Sequence, residues 1–482
     1  MGAVDVIAIE TTNLGDRSYV IGSQGAAVVI DPQRDIDRVL GVLDERGWTA
    51  SHVLETHFHN DYVSGGLELA RVLGAEYVVP DGMAIDFKAR QIRDNDGIAC
   101  GIGALRVLHT PGHTPNHVSY VVSDDVTDVA VFTGGSMLFG SVGRTDLLGP
   151  DLTEPLANAQ WESMRRIAAE VSVTAQVYPT HGFGSFCSAT ATVGNASTVA
   201  DQVASNPAFA MNQQAFVADL MAGLDVYPAY YAHMGPANQA GAGPVDLSLP
   251  QRASADEIAR RIAAGEWVVD LRHRRLFSGE HVQGSLSFDV HGNAVTYLGW
   301  LIDWGTPITL LGADVEEVQA MQRELVRIGI DRPIAYATGQ PTQWVSVNGV
   351  NGVNGVNSAL GSYRRATHAD MAAALAVDPD LPMLDLRRNS EFENGYVRGA
   401  KHLPLHELRS RMGEVASWAR ANGEPVWVYC GSGFRASIGA SLMESAGLTP
   451  VHVDDDFANA AKAGLPIAVP DHHARLGDAY LD

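Results

Sequence analysis

Residues 52–62 read HVLETHFHNDY. A short apolar, strand-like run leads into a loop that sets His57, His59 and Asp61 at alternate positions. In extended backbone, residues two apart project to the same side, so these three side chains can converge on one point. The same order, a strand followed by a histidine, recurs twice. LHTPGHTPNH (108–117) places His113 after a Pro-Gly turn, and VYPTHGFGSFC (177–187) places His181 after a short strand. Imidazole and carboxylate are the usual ligands of zinc, iron and related ions, and strand-end loops are where catalytic groups usually sit. His52, His109 and His117 read as structural or supporting histidines.

Around these loops, short β-branched runs (SYVIG, AAVVID, EYVVP, LRVLHT, VSYVV, VAVFTGG) alternate with glycine turns. Helical stretches fall between them, such as DIDRVLGVLDERG and EPLANAQWESMRRIAAEV. The mix predicts an α/β fold in which two sheets lie between helical layers, an αββα sandwich.

The chain has 482 residues, which at about 150 per domain suggests about three domains. Hydrophobic residues are 46% and charged residues 18%, a balance that excludes intrinsic disorder. The net charge of −23 argues against binding nucleic acid or anionic lipid. Neither a secretory leader nor an apolar run long enough to span a membrane is evident, and three widely spaced cysteines cannot build a disulfide framework. Reduced thiols in the cytoplasm are the expectation.

Two stretches read as linkers: PANQAGAGPVDLSLP (236–250), rich in Gly, Ala and Pro, and the repeat VNGVNGVNGVN (347–357). The expected division is a first domain over 1–245, a second over 251–346, a linker over 347–361 and a third domain over 362–482. An internal repeat joins the second and third. VVDLRHRRLFSGEHVQGSLSFDV (268–290) lies on MLDLRRNSEFENGYVRGAKHLPL (383–405), matching Asp270 to Asp385, Arg272 to Arg387 and Phe277 to Phe392. A second block, ITLLGADVEEVQAMQRELVRIGI (308–330), lies on VWVYCGSGFRASIGASLMESAGL (426–448). Each reads as a strand, a tight loop and an amphipathic helix, so two small α/β domains with parallel sheets are expected.

In the last block, Cys430 ends a strand and Gly431, Ser432, Gly433 and Phe434 lead to Arg435 at a helix start. Backbone N–H groups of such a loop, together with a helix N-terminus, favour thiolate over thiol. They can lower a cysteine pKa from about 8.5 to between about 3.5 and 7.5. Arg435 can hold the loop closed or bind an anionic substrate. The middle copy aligns Gly312 with Cys430 and Glu317 with Arg435, losing both groups.

The first segment resembles the metallo-β-lactamase superfamily: His-x-His-x-Asp after a strand, Thr-Pro-Gly-His-Thr, a Thr-Gly-Gly loop, then Tyr-Pro-x-His. The persulfide dioxygenase branch is the nearest, with the glyoxalase II thioesterases next. GRTDLLG (143–149) looks like the Gly-Arg-Thr-Asp signature of that branch, which makes Arg144 an expected substrate-binding residue. Two positions depart from the pattern. Tyr62 replaces a histidine, and Gly135 replaces the aspartate that holds the metal. Carried over by position, His57 and His113 remain as ligands. His59 can complete a three-histidine site; or Asp61 and His181 can supply ligands; or the site is metal-poor and the domain a scaffold. One metal ion is expected, Fe(II) ahead of Zn(II), or none because of Gly135. Restoring Gly135→Asp is expected to tighten metal binding.

The last segment resembles the rhodanese family, through Asp385, Arg387, Glu391, Phe392, Gly399, Ala400, His402 and Pro404 together with the Cys430 loop. Four residues separate Cys430 from Arg435, one fewer than in cysteine phosphatases of related topology, which favours sulfur over phosphate. Asp385 and Arg387 are expected to contribute to substrate binding, and the middle copy reads as a non-catalytic rhodanese. The resemblance implies oxidation of a low-molecular-weight thiol persulfide coupled to sulfane-sulfur transfer through a Cys430 persulfide. The alternatives are a glyoxalase II type thiolester hydrolase, or a scaffold carrying one active sulfurtransferase. The expected partners are a small thiol persulfide, sulfite or thiosulfate, with neither nucleic acid nor membrane, and a homodimer is the assembly left open. Cys187 reads as space-filling.

Overall fold

The computed structural model describes residues 4–124, 126–345 and 359–469. It divides into two compact units: Met1–Asp246 with Leu325–Asp331, and Leu247–Glu324 with Arg332–Asp482.

The first unit is a mixed α/β sandwich. One sheet runs in the order β1 (Asp5–Thr11), β2 (Asp16–Ser23), β3 (Ala26–Ile30), β4 (Thr49–Leu54), β5 (Glu76–Pro80), β6 (Arg90–Ile92). The second contains β7 (Gly97–Cys100), β8 (Gly103–His109), β9 (Val118–Ser123) and β10 (Asp128–Gly134). Past a small hairpin of β11 (Met137–Leu138) and β12 (Ser141–Val142), β13 (Gln176–Pro179) joins its edge parallel to β10.

Strand periodicity decides what each residue packs against. Tyr19, Ile21, Val28, Ile30, Leu105, Val107, Tyr120, Val122 and Phe132 all enter one buried cluster that draws on both sheets. Their neighbours one residue away face outward to helices. Val20, Val29 and Val53 pack with residues of the helices Asp37–Arg46 and Gly66–Leu73. Leu108, Val121, Val131 and Val177 pack with the helix Pro150–Glu170. The layers are therefore helix, sheet, sheet, helix. Because β3 and β4 run parallel, as do β10 and β13, their C-terminal ends open on loops that carry Asp31, His57, Gly135 and His181.

The second unit holds two five-stranded parallel sheets. The first takes the order β14 (Gln251–Arg252), β19 (Ala335–Thr338), β18 (Ile308–Gly312), β15 (Trp267–Asp270), β17 (Leu286–Ser287). Between these, β16 (His281–Val282) pairs with β20 (Leu360–Gly361). The second sheet takes the order β21 (Arg364–Ala366), β26 (Pro450–Val453), β25 (Val426–Tyr429), β22 (Met383–Asp385), β24 (Lys401–His402), while β23 (Tyr396–Val397) pairs with β27 (Ile467–Ala468). Numbered within each half, the two main sheets have one strand order, as the internal repeat requires.

Both stretches read as linkers differ from expectation where they are described. Residues 236–240 continue the helix Tyr231–Ala240, which tolerates Pro236. Leu360 and Gly361 form β20, and 347–358 lie outside the described residues.

The repeated Asp-x-Arg motif is a buried clamp in both halves. Arg272 Nη2 donates to Asp270 at 2.6 Å, and Arg387 Nη2 donates to Asp385 at 2.6 Å. Arg387 also donates to the carbonyls of Glu391 and Gly395 and stacks over Phe457 at 3.6 Å. Removing one partner of such a pair leaves an uncompensated buried charge, so Asp270→Ala and Asp385→Ala should each cost about 3–5 kcal/mol in denaturant unfolding.

Candidate active sites

Four histidines of the first unit meet in one buried pocket, each with one ring nitrogen held by a protein acceptor. His57 Nδ1 lies 2.8 Å from Thr56 Oγ1, whose own proton goes to Asp31 at 2.7 Å, so the imidazole donates. His113 Nδ1 donates to the Arg144 carbonyl at 2.7 Å. His181 Nδ1 donates to Asp16 at 2.9 Å and faces Asp61 at 3.0 Å. With the proton on Nδ1, His57 and His113 turn an Nε2 lone pair toward the pocket, and His181 presents its Nε2 there once its second proton is lost. The Nε2 atoms of His57 and His181 are 3.1 Å apart, and His113 Nε2 is buried without a partner. His57, His113 and His181 thus form a set whose ligand atoms lie within 4.8 Å of one another.

His59 is turned the other way. Its Nε2 faces Glu55 at 3.2 Å and Asp31 at 3.4 Å, and its buried Nδ1 is unpartnered. With Asp61 and His181 it makes a second group within 4.8 Å. The structure therefore brings His57 and His113 together with His181, while His59 and Asp61 share His181 from the adjoining side and His59 also lies in a third such group with His57 and Asp31. Tyr62 stacks on His59 with ring centroids 4.2 Å apart and donates to the Asp31 carbonyl. His117 is occupied, because its Nε2 accepts from the Gly135 amide at 3.0 Å.

Burial and the surrounding charges set the protonation. Burial, reinforced by neighbouring imidazoles, pushes His57 well below its ordinary pKa and His113 down to about 3. Burial works the same way on His181, but the Asp61 and Asp16 carboxylates overcome it and raise the ring to about 10. Asp31 and Glu55 likewise overcome burial to raise His59 to about 9. Burial and the nearby Asp61 lift Asp16 to about 8.

Arg144 serves the pocket through its carbonyl, and its side chain is engaged within the fold. The guanidinium makes two 2.7 Å bonds to Asp146, donates to the carbonyls of Phe186 and Asp225, and lies over Tyr227. Asp385 and Arg387 are likewise engaged with each other. The same clamp occurs in the half without a cysteine, so it serves the fold in both halves.

In the second unit, Cys430 follows β25 at the start of the helix Phe434–Ser445, and its Sγ accepts from the Ala436 amide at 3.4 Å. Gly433 caps that helix at φ +85°, where a Cβ would sit 2.7 Å from Asp454 Cα, so glycine is required. Arg435 holds the loop closed: its two terminal nitrogens reach Glu391 at 2.5 and 2.6 Å. That pair lowers Glu391 to about 2 against the effect of burial. Behind the loop, Asp454 collects Arg274, Arg275 and Arg365. The matching loop of the other half is closed by its own carboxylate, as Glu317 accepts from the Ala313 amide at 2.7 Å.

Comparison with known proteins agrees with both geometries. The metallo-beta-lactamase superfamily pattern matches residues 13–181, and the rhodanese-like domain pattern matches residues 367–459. The chain carries a metallo-beta-lactamase fold domain and a C-terminal rhodanese domain. A hydroxyacylglutathione hydrolase of Rhodospirillum rubrum is 32% identical over 147 residues, 30% of this chain and 53% of that protein, so the chain spans about half the length of this curated relative. A metallo-beta-lactamase from Staphylococcus aureus COL superposes with a TM-score of 0.63 at 28% identity, covering 70% of this chain and all of that one. ETHE1 from Myxococcus xanthus is 26% identical, with a TM-score of 0.43 over 49% of this chain and 98% of its own.

Several residues that build the metallo-beta-lactamase domain's pocket escaped the sequence reading. Asp31 and Asp16 sit at strand boundaries, the first closing AAVVID and the second opening DRSYVIGS, and an acid at a strand end is too common to single out. Asn238 lies in the stretch read as linker. Its amide donates to the carbonyls of His59 and Tyr62 at 2.8 and 3.0 Å, and its oxygen accepts from Ser64 N at 2.8 Å, which fixes the loop that carries His59 and Asp61.

The Gly135→Asp expectation is overturned by packing. A Cβ at Gly135 would lie 2.2 Å from His113 Cδ2, so any side chain there displaces a ring of the three-histidine set. Gly135→Asp and Gly135→Ala should both lower the metal retained per chain after dialysis against a chelator.

Proposed function

We propose that the chain is a sulfur-metabolism enzyme that joins oxidation of a low-molecular-weight thiol persulfide to sulfane-sulfur transfer on Cys430. The observation that carries this reading is the pairing, in one chain, of a buried three-histidine pocket with a glycine-loop cysteine. The pocket fits a metal ion: three imidazoles have their Nδ1 protons engaged by Thr56, Arg144 and Asp16, and the unpartnered His113 Nε2 needs a ligand there. His57, His113 and His181 would hold one ion, with Fe(II) as the dioxygenase choice. Such an ion supplies Lewis acidity and open positions where a sulfur anion and dioxygen meet.

The chain's own groups do the rest. Thr56, the Arg144 carbonyl and Asp16 hold the Nδ1 atoms of the three rings and so fix their orientation. One persulfide, one dioxygen and one water balance to a thiol, sulfite and two protons: the outer sulfur is oxidised to sulfite, the inner sulfur leaves reduced as the thiol, and dioxygen takes up the net four electrons. At the second site the Cys430 thiolate attacks the outer sulfur of a donor. The donor's S–S bond breaks, its inner sulfur leaves with the electron pair, and Cys430 becomes a persulfide. Sulfite can then attack that outer sulfur, giving thiosulfate and returning the Cys430 thiolate. The product of the first site is thus an acceptor for the second. In this reading the middle half is a rhodanese-like copy without its nucleophile. A Cβ at Gly312 would meet the Asp314 carbonyl at 3.0 Å and Val318 at 3.2 Å, so the position has closed around glycine.

The hydroxyacylglutathione hydrolase relative favours a second reading, thiolester hydrolysis at the same metal. Oxygen uptake on glutathione persulfide by the iron-loaded protein, compared with hydrolysis of a glutathione thiolester, separates the two. The first reading predicts oxygen consumption with sulfite formation, abolished by His113→Ala. Thiolester turnover without oxygen uptake would select the second. Independently, Cys430→Ser should abolish sulfur transfer from thiosulfate to cyanide, and retained transfer would refute the Cys430 assignment.

A further inference from the structure

Among the described residues, the arginines around the Cys430 loop are each paired with a carboxylate, Arg388 with Glu391 at 3.3 Å among them. Arg435 is the obvious candidate to bind an anionic substrate, but both of its terminal nitrogens are bound to Glu391. Arg387 is buried on Asp385, and Arg274, Arg275 and Arg365 converge on Asp454. The loop amides alone do not distinguish an oxygenated sulfur compound from a thiol persulfide, since either presents an anionic sulfur.

The middle half reaches this loop within the same compact unit. Gly292 lies so close to Phe434 that a Cβ there would be 2.3 Å from the ring. Two residues on, the helix Ala294–Leu301 begins, and it carries Tyr297. Trp300 of that helix stacks on His406 at 4.9 Å, and Arg409 donates to the Leu301 carbonyl at 3.1 Å, which fixes the helix against the cysteine-bearing half. The Tyr297 ring stands 6.0 Å from that of Phe434, itself part of the Cys430 loop. Tyr297 is half-buried, and its hydroxyl has no hydrogen-bond partner among the described residues. Its surroundings are the groups of the thiol site. Burial pushes the phenol upward, Arg435 and Arg388 pull it down, and Glu391 and Cys430 push it up again. It therefore stays protonated, a neutral donor beside the Cys430 loop.

We propose that Tyr297, contributed by the half that has no cysteine, donates its hydroxyl proton to a sulfur-bound oxygen of thiosulfate or sulfite at Cys430 and so selects oxyanionic sulfur compounds over thiol persulfides. During the first transfer the outer sulfur of thiosulfate bonds to Cys430 Sγ, and sulfite leaves with the electron pair of the broken S–S bond. Tyr297 holds a hydrogen bond to one of the sulfite oxygens as negative charge grows there. In the reverse direction the same bond orients sulfite for attack on the Cys430 persulfide. A thiol persulfide offers no oxygen at that position, so its transfer does not use Tyr297.

The proposal rests on Cys430 being the sulfur carrier, and the test separates the two claims. Sulfur loading of Cys430 is measured on the full chain by mass spectrometry and initial rates, with thiosulfate and with glutathione persulfide as donors. The proteins are wild type, Tyr297→Phe and Cys430→Ser, and thermal melting confirms that the phenylalanine variant is folded. Loss of a hydrogen bond to a charged group should lower kcat/KM for thiosulfate about ten- to a hundredfold in Tyr297→Phe. Loading from glutathione persulfide should change less than about twofold, within the spread of a neutral substitution. Equal rates for both donors in wild type and variant would overturn the proposal. So would an equal fall for both donors, which would make Tyr297 a prop for the loop. Failure of the wild-type chain to load Cys430 from either donor would overturn the sulfurtransferase reading, and the Tyr297 role with it.

Discussion

One buried carboxylate ties the first unit's pocket together. Asp31 ends β3 with its backbone at φ +51°, a conformation that Asp tolerates better than most residues. From there it accepts from Thr56 N and Thr56 Oγ1 at 2.7 Å each and from Thr180 Oγ1, and it faces His59. Thr56 holds His57, and Thr180 precedes His181 in the chain. Two parallel strand pairs from different sheets are thus locked at their C-terminal ends through a single side chain. An unpaired carboxylate at this depth would be strongly disfavoured, so the four donors and the carboxylate require one another. Every imidazole orientation that matters to the site follows from this hub and its counterparts, the Arg144 carbonyl and the Asp16–Asp61 pair.

The layers and the repeat were legible in the sequence because they rest on periodicity. Val20 and Ile21, or Val29 and Ile30, differ by one residue and face opposite layers, which alternation predicts. The repeat was visible because Asp270 and Asp385 each hold the buried arginine two residues further on, Arg272 and Arg387, in the same way. The histidines were legible as a group, since three strand-end loops share one pattern. Their division was not. The choice between His59 and His181 beside His57 and His113 depends on which ring nitrogen is tied down, and that depends on Asp31, Glu55, Asp16 and the Arg144 carbonyl. These partners are distant in sequence and carry no motif. The low-complexity look of residues 236–250 hid Asn238 for a related reason: one side chain making three hydrogen bonds leaves no periodic trace. Arg144, singled out by its motif, has its guanidinium engaged by Asp146 and two carbonyls, partners that the motif did not reveal.

The two halves of the second unit show how a duplicated scaffold diverges by a few substitutions. Strand order and the aspartate–arginine clamp persist. At the loop, Gly312 and Glu317 stand where Cys430 and Arg435 stand in the other half, and the Glu317 carboxylate fills its own amide cradle. The helix Ala294–Leu301 of the middle half brings Tyr297 within 6.0 Å of Phe434 in the Cys430 loop.

The account stands on a metal position made by three imidazoles with no carboxylate at residue 135. X-ray absorption on the iron-loaded chain reads that inner shell directly. The predicted spectrum shows about three imidazole scatterers with oxygen donors from water. A spectrum with sulfur in the inner shell, or one unchanged when His57, His113 and His181 are each replaced by alanine, would contradict the account.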